Sequence, residues 1–252
     1  LSPSHQVIQL WGATTGTRTG EELPVGHRNT PVLALSYNGK RVAFAGQGGT
    51  VHVWNITSGT PISDKPIIGD DNAVIGERGV ASVAFRDDGA RIVTGARGDD
   101  GLREWDTTDG KRIGDVMVGH QRNVTTVRFS DDGQLILSGA EDGTVRLWDA
   151  DNQRPVGPPL TIVQPMKDGK PTRDITLFAT SVAISPDREH IVAGLNDGTV
   201  RVWDGPAAWT RTLCAKLTQT MSHKHWNEWI AESIDYEPVC PDKTPQPETD
   251  PP

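Results

Sequence analysis

The sequence predicts an all-β protein assembled from tandem copies of one small antiparallel sheet, and three observations carry that prediction. A tryptophan closes a short apolar run five times, at Trp11, Trp54, Trp105, Trp148 and Trp203, spaced about 40 to 55 residues apart. The residues leading into each one are alike: VIQLW, TVHVW, GLREW, TVRLW and TVRVW. The most complete unit, Gly119 to Asp149, reads GHQRNVTTVRFSDDGQLILSGAEDGTVRLWD, so two Asp-Gly turns separate three runs of strand character. With 35% apolar residues, 27 Gly and 18 Pro, the composition suits many short strands and turns rather than helices.

Taken in order, the first unit is a remnant, with one strand near Val7 to Trp11 and an outer strand near Thr17 to Leu23. Three units of four strands begin near Pro31, Val80 and Asn123. The turn between their first two strands reads YNG at Tyr37 to Gly39, DDG at Asp87 to Gly89 and DDG at Asp131 to Gly133. A fifth begins near Phe178, turns at Pro186 to Glu189 and ends its third strand at Trp203, with no convincing outer strand behind it. The second strand of each unit is a near-continuous apolar run, such as Leu135-Ile136-Leu137 or Ile191-Val192-Ala193, as a strand buried on both faces requires. The outer strand at Arg154 to Pro159 is polar, and Pro155, Pro158 and Pro159 blunt its edge against pairing with other chains.

The pairs Gly119-His120, Ser138-Gly139, Asp142-Gly143 and Trp148-Asp149, with the turn Ser130-Asp131-Asp132-Gly133, resemble the WD-repeat β-propeller family. The resemblance implies four-stranded blades, with strands a, b and c after the Gly-His and the outer strand d after the Trp-Asp. Residues 1–205 are then about four and a half blades of a propeller. Such an arc leaves two large apolar blade faces in water. The chain is therefore expected to be a fragment, with the remaining blades upstream in a parent protein; two chains completing each other is the alternative.

Ser138, His120 and Asp142 are the residue types of a hydrolytic triad. The resemblance implies instead a hydrogen-bonded chain in which Trp148 donates to Ser138, Ser138 to His120 and His120 to Asp142. An indole N–H can only donate and needs an acceptor when buried, which this order supplies. No Gly-x-Ser-x-Gly elbow is present, so the expectation is no catalytic residue and no enzyme. The other blades keep only parts of the set. The second has His27 and Trp54 with Phe44 and Gly48 in place of Ser and Asp; the third has Thr94, Asp99 and Trp105 without the Gly-His; the fifth has Asp197 and Trp203 with Ala193 in strand b. Phosphate loops, dinucleotide fingerprints and zinc-protease motifs do not occur, so no cofactor and no metal are expected.

Two connections exceed what the repeat needs, Ile67 to Gly79 and Thr161 to Leu177, and both join a strand d to the next strand a. In the family geometry the da and bc loops share one face. The first insertion brings Asp70, Asp71, Glu77 and Arg78, the second Lys167, Lys170 and Arg173, and the short da loops Arg28, Arg122 and Asn123. A face of mixed charge suits a protein or peptide partner. Tolerated loop growth is the alternative. The net charge of −8 argues against nucleic acid, and no run of eighteen apolar residues forms a membrane segment.

After Trp203 the period changes. Pro206 to Leu217 reads as a short helix with Trp209, Leu213 and Leu217 on one stripe, and Ser222 caps a second whose Trp226, Trp229 and Ile230 face one way. Residues 206–237 form a helical cap, and residues 238–252, rich in Pro and acids, a disordered tail. Cys214 and Cys240 allow a disulfide closing a loop of about 26 residues, a zinc site with His223 and His225, or free thiols. Positions 223 and 225 point about 200° apart on a helix, which disfavours zinc. A bridge implies the extracytoplasmic face of a membrane-anchored parent; free thiols suit the cytoplasm. The segments LCAKL, MSHKHWNEWI and YEPVCP resemble the C-terminal cap of WD-repeat domains in actinobacterial, notably mycobacterial, STAND-type signalling NTPases. That implies a propeller acting as sensor for a switch elsewhere in the parent. The expected function is a non-enzymatic interaction or sensor module; the alternatives are a small-ligand or enzymatic propeller and a structural spacer.

Overall fold

The turns organise the strands. In a computed structural model that describes residues 7–24, 32–45, 49–63, 79–96, 101–164, 166–167, 170–171, 176–216 and 240, Gly39, Gly89 and Gly133 each close the first turn of a blade at φ 67°, 68° and 67°. Their amides donate to Ser36, Arg86 and Ser130 carbonyls respectively. A side chain at positive φ is strained, which is why glycine recurs there. The fifth turn has Arg188 at φ 58° in the same role, its amide donating to Ser185 O.

The first blade is β1 (Val7–Trp11) paired antiparallel with β2 (Arg18–Pro24). The second is β3 (Leu33–Leu35), β4 (Arg41–Ala45), β5 (Val51–Asn55) and β6 (Thr60–Pro61), hydrogen-bonded in that order. The third, β7 (Val80–Phe85), β8 (Arg91–Ala96), β9 (Leu102–Asp106) and β10 (Arg112–Met117), repeats it. The fourth is β11 (Val124–Phe129), β12 (Leu135–Ala140) and β13 (Thr144–Asp149), with two short pieces, β14 (Arg154–Pro155) and β15 (Leu160–Thr161), both pairing β13. The single outer strand expected over Arg154 to Pro159 is thus split, because Pro158 and Pro159 carry no N–H for the ladder. A hairpin of β16 (Met166–Lys167) and β17 (Lys170–Pro171) lies within the second insertion. The fifth sheet is β18 (Ala179–Ile184), β19 (His190–Leu195) and β20 (Val200–Asp204), followed by helix α1 (Pro206–Lys216).

Register decides which side chains meet the next blade. Ile92 lies opposite Trp105 and Ile136 opposite Trp148, so aliphatic and indole share one face. That face packs on the preceding blade: Ile92 and Trp105 cluster with Ala43, Val51 and Val53, and Ile136 and Trp148 with Val93 and Leu102. Six of six residues in β12 are buried, as a strand covered on both sides must be. The second and third sheets are four-stranded antiparallel blades, the fourth has its outer strand in two pieces, and the sheets are blades of a partial β-propeller.

The chain divides into two compact units, Leu1–Ala183 with Val192–Arg201, and Ile184–Ile191 with Val202–Pro252. In the second unit α1 follows the last strand directly. Gly205 N donates to Glu189 O at 2.7 Å and Ala207 N to Arg188 O at 3.2 Å, while Arg211 pairs with the Glu189 carboxylate. A Cβ on Gly205 would stand 2.3 Å from Arg188 O, so only glycine allows this approach. Cys214 and Cys240 are joined by a disulfide. Leu213, expected on a buried stripe, is 63% exposed, while Ala208 is buried and Trp209 and Cys214 are partly covered. The second helix expected after Ser222, with His223 and His225, and the tail expected over residues 238–252 apart from Cys240 lie outside the described residues.

Candidate functional site

The fourth blade brings His120, Ser138, Asp142 and Trp148 together. His120 follows β10 in the da connection, Ser138 is mid-strand in β12, Asp142 sits in the β12–β13 turn and Trp148 ends β13. Trp148 Nε1 donates to Ser138 Oγ at 2.9 Å, Ser138 Oγ lies 2.7 Å from His120 Nε2, and His120 Nδ1 lies 3.0 Å from Asp142 Oδ2. A carboxylate can only accept, so Nδ1 carries the proton, and Nε2 is left to accept from the Ser138 hydroxyl. The donations then run in one direction from indole to carboxylate.

Two further groups complete the set. Gln121 N donates to Asp142 Oδ2 at 2.9 Å, and Thr144 donates twice to Asp142 Oδ1, from its amide at 2.9 Å and its hydroxyl at 2.7 Å. Burial pushes the Asp142 carboxyl up, but hydrogen bonds from His120, Gln121 and Thr144 outweigh it and hold the group well below the usual carboxylate range. The side chain of His120 is 0% exposed and that of Asp142 7%. Ser138 is fully buried and accepts a hydrogen bond from the indole N–H, so its oxygen lacks the access that attack on a substrate needs. Thr144 was not singled out from the sequence, although its place two residues after an Asp in a turn is the usual signal for such a local bond.

The partial sets differ as their residues dictate. In the third blade Trp105 Nε1 donates to Thr94 Oγ1 at 2.9 Å. In the second, Phe44 stacks on His52 with ring centroids 5.3 Å apart, and Trp54 Nε1 is buried without a hydrogen-bond partner. In the fifth, Asp197 Oδ1 accepts from the Thr199 amide and hydroxyl. His27, Gly48 and Asp99 lie outside the described residues.

Of the face expected to meet a partner, Arg122 is exposed, and Asn123 is half-buried with its side-chain amide donating to Glu141 Oε2 at 2.9 Å. Lys167 and Lys170 stand opposite each other in the β16–β17 hairpin. Arg28, Asp70, Asp71, Glu77, Arg78 and Arg173 lie outside the described residues. A cavity of about 450 Å³ opens elsewhere, along the inner strands, lined among others by Leu33, Leu35, Ser82, Phe85, Thr126 and Phe129. Among the described residues no cluster of three or more His, Cys, Asp or Glu is placed to hold a metal ion, and no helix is long and apolar enough to cross a membrane.

The family model for the WD domain, G-beta repeat, matches residues 20–55, 112–149 and 172–204. These three stretches are similar to the WD repeat. The first two matches each run from an outer strand through a, b and c of the next blade, so the repeat unit in sequence is offset by one strand from the blade in space. Strands β7, β8 and β9 of the third blade, whose da connection lacks the Gly-His, fall outside the matched residues. Comparison with curated proteins finds no match.

Proposed function

We propose that this chain is a non-enzymatic interaction module that binds a protein or peptide through its da and bc loops, within a larger signalling protein. WD repeats generally mediate protein–protein interaction and are typically non-enzymatic, and their presence in three places is the observation that carries the reading. The burial of Ser138, His120 and Asp142, each held by the others, supports a structural role for the one constellation with hydrolytic residue types. The mixed charge of the two insertions supports a protein partner over a phosphate-bearing one. The signalling context rests on the resemblance of the C-terminal segments to those of STAND-type NTPases.

Affinity capture from native lysate with the intact chain and with a form lacking residues 67–79 and 161–177 tests the binding face. Loss of a specifically retained protein in the shortened form supports it; retention of the same protein by both forms removes the insertions from the recognition surface.

A further inference from the structure

Two residues depart from the repeat pattern, and they meet across the seam between the third and fourth blades. The turn after strand c holds a residue at positive φ whose amide donates to the carbonyl four residues back: Gly16 at φ 63°, Gly59 at 66°, Gly110 at 72° and Gln153 at 55°. Glycine fills three of these places, and the fourth blade puts a side chain there against the preference of its backbone. The second departure is Glu104, wholly buried at the strand c position that holds Val53 in the second blade and Leu147 in the fourth.

Strand β10 shifts register between Ile113 and Met117, and the Gln153 side-chain amide fills that irregularity. Asp115 N donates to its Oε1 at 2.8 Å, and its Nε2 donates to Ile113 O at 2.7 Å and to Glu104 Oε2 at 3.2 Å. A Cβ on Gly114, itself at φ 62°, would overlap the amide. Among the described residues the other carboxylate oxygen, Glu104 Oε1, is buried without a hydrogen bond and lies 3.6 Å from Arg91 Nη1 of β8. Arg86 adds its charge from the turn before β8, Asp151 of the fourth blade pairs with Arg86 at 2.8 Å and stands 3.9 Å from Arg91, and β10 sets Ile113 opposite Glu104. A carboxylate here has one hydrogen bond, and it shares its cations with a second acid. An uncharged carboxyl fits the place better, and burial holds the Glu104 proton above the usual carboxylate range.

We propose that Glu104 and Gln153 form a proton-sensitive clasp between the third and fourth blades, closed while Glu104 is protonated and opening more often as it ionises, so that pH sets how often Gln153 leaves β10. Opening returns water to the carboxylate, and the open form holds the proton less tightly than the closed one. The linkage has one sign: opening grows as pH rises from the ordinary carboxyl value, near 4, through the higher value of the closed seam, and is constant above it. Gln153 lies at the other end of β13 from Asp142, so the clasp stands independently of the da and bc loops as a binding face.

The test is amide hydrogen exchange of the full chain, read residue by residue by NMR, with each rate divided by its intrinsic rate at that pH. Protection of the Asp115 amide is expected to fall as pH rises from about 4 to about 8. Its dependence on dilute urea is expected to be shallower than that of the β12–β13 amides, the mark of a local opening. In Glu104→Gln, and in Glu104→Leu, which installs the residue type of the fourth blade, Asp115 protection is expected not to fall with pH. In Gln153→Gly it is expected to be lost at every pH. Wild-type protection that holds or increases with pH, the same fall in both Glu104 variants, protection retained in Gln153→Gly, or a urea dependence equal to that of the β12–β13 amides each overturns the proposal.

Discussion

His120 Nδ1 stands 3.0 Å from Asp142 Oδ2, and this contact ties the loop entering the fourth blade to the turn between its second and third strands. The carboxylate that receives it accepts from Gln121 and Thr144 as well. One side chain therefore holds four donor groups, from three residues, at the same end of the blade.

Asp142→Ala is expected to lower stability by roughly 1–3 kcal/mol, because it leaves the His120 N–H buried without an acceptor. The gap has a pH dependence with a defined sign. A carboxyl depressed in the folded state contributes stability above the unfolded pKa, near 4, and loses it as pH falls through the folded value. Denaturant midpoints of the wild type and Asp142→Asn should differ by a constant amount from pH 5 to 8 and converge below about pH 4. An unchanged midpoint in Asp142→Ala counts against the tie.

Glu104 is the opposite case. It is 0% exposed, at a strand c position filled by Val53 in the second blade and Leu147 in the fourth. Gln153 of the next blade donates to its Oε2 at 3.2 Å, while Oε1 makes no hydrogen bond and faces Arg91 Nη1 at 3.6 Å. Burial pushes the carboxyl above its usual range, against the pull of Gln153, Arg91 and Arg86. A raised carboxyl stabilises the fold below the unfolded pKa and loses that contribution as pH rises through the folded value. Glu104→Gln should therefore gain on the wild type in thermal midpoint as pH rises from 4 to 8. A difference that shrinks over that range contradicts the assignment.

Arg188 occupies at φ 58° the turn position that Gly39, Gly89 and Gly133 fill in the other blades. Arg188→Gly removes that strain but frees the unfolded chain, for a net gain of about 0.5–1 kcal/mol. Chemical denaturation compares the two, and a loss of stability would show that the Arg188 side chain contributes more than its backbone costs.

The Cys214–Cys240 bridge closes a separation of 26 residues. In the chain-entropy model such a loop is worth about 3 kcal/mol. Alkylation before mass measurement should add label only after reduction, and the Cys214→Ser, Cys240→Ser double variant should lose stability in the second unit. Equal labelling with and without reductant would show free thiols.

The blades were legible in the sequence because their signals are local: a tryptophan at the end of each strand c, Asp-Gly at the turns, and unbroken apolar runs in strand b. His120, Ser138, Asp142 and Trp148 could be grouped for the same reason, since the repeat brings them into one unit. Glu104 and Gln153 could not, because their meeting depends on how two blades stack. The helix shows a similar limit. Its spacing puts Leu213 on a buried stripe, yet Leu213 is exposed while Trp209 of the same stripe is partly covered, because tertiary packing rather than periodicity decides which residues are covered. In the fourth blade Pro158 and Pro159, which the sequence offers as edge protection, also lie where the outer strand divides.

The interaction reading is tested most directly by calorimetric titration of a captured partner against the intact chain and against the form lacking residues 67–79 and 161–177. Both forms must show the same thermal midpoint for the comparison to hold. The account predicts an affinity at least tenfold weaker for the shortened form; equal affinities would contradict it.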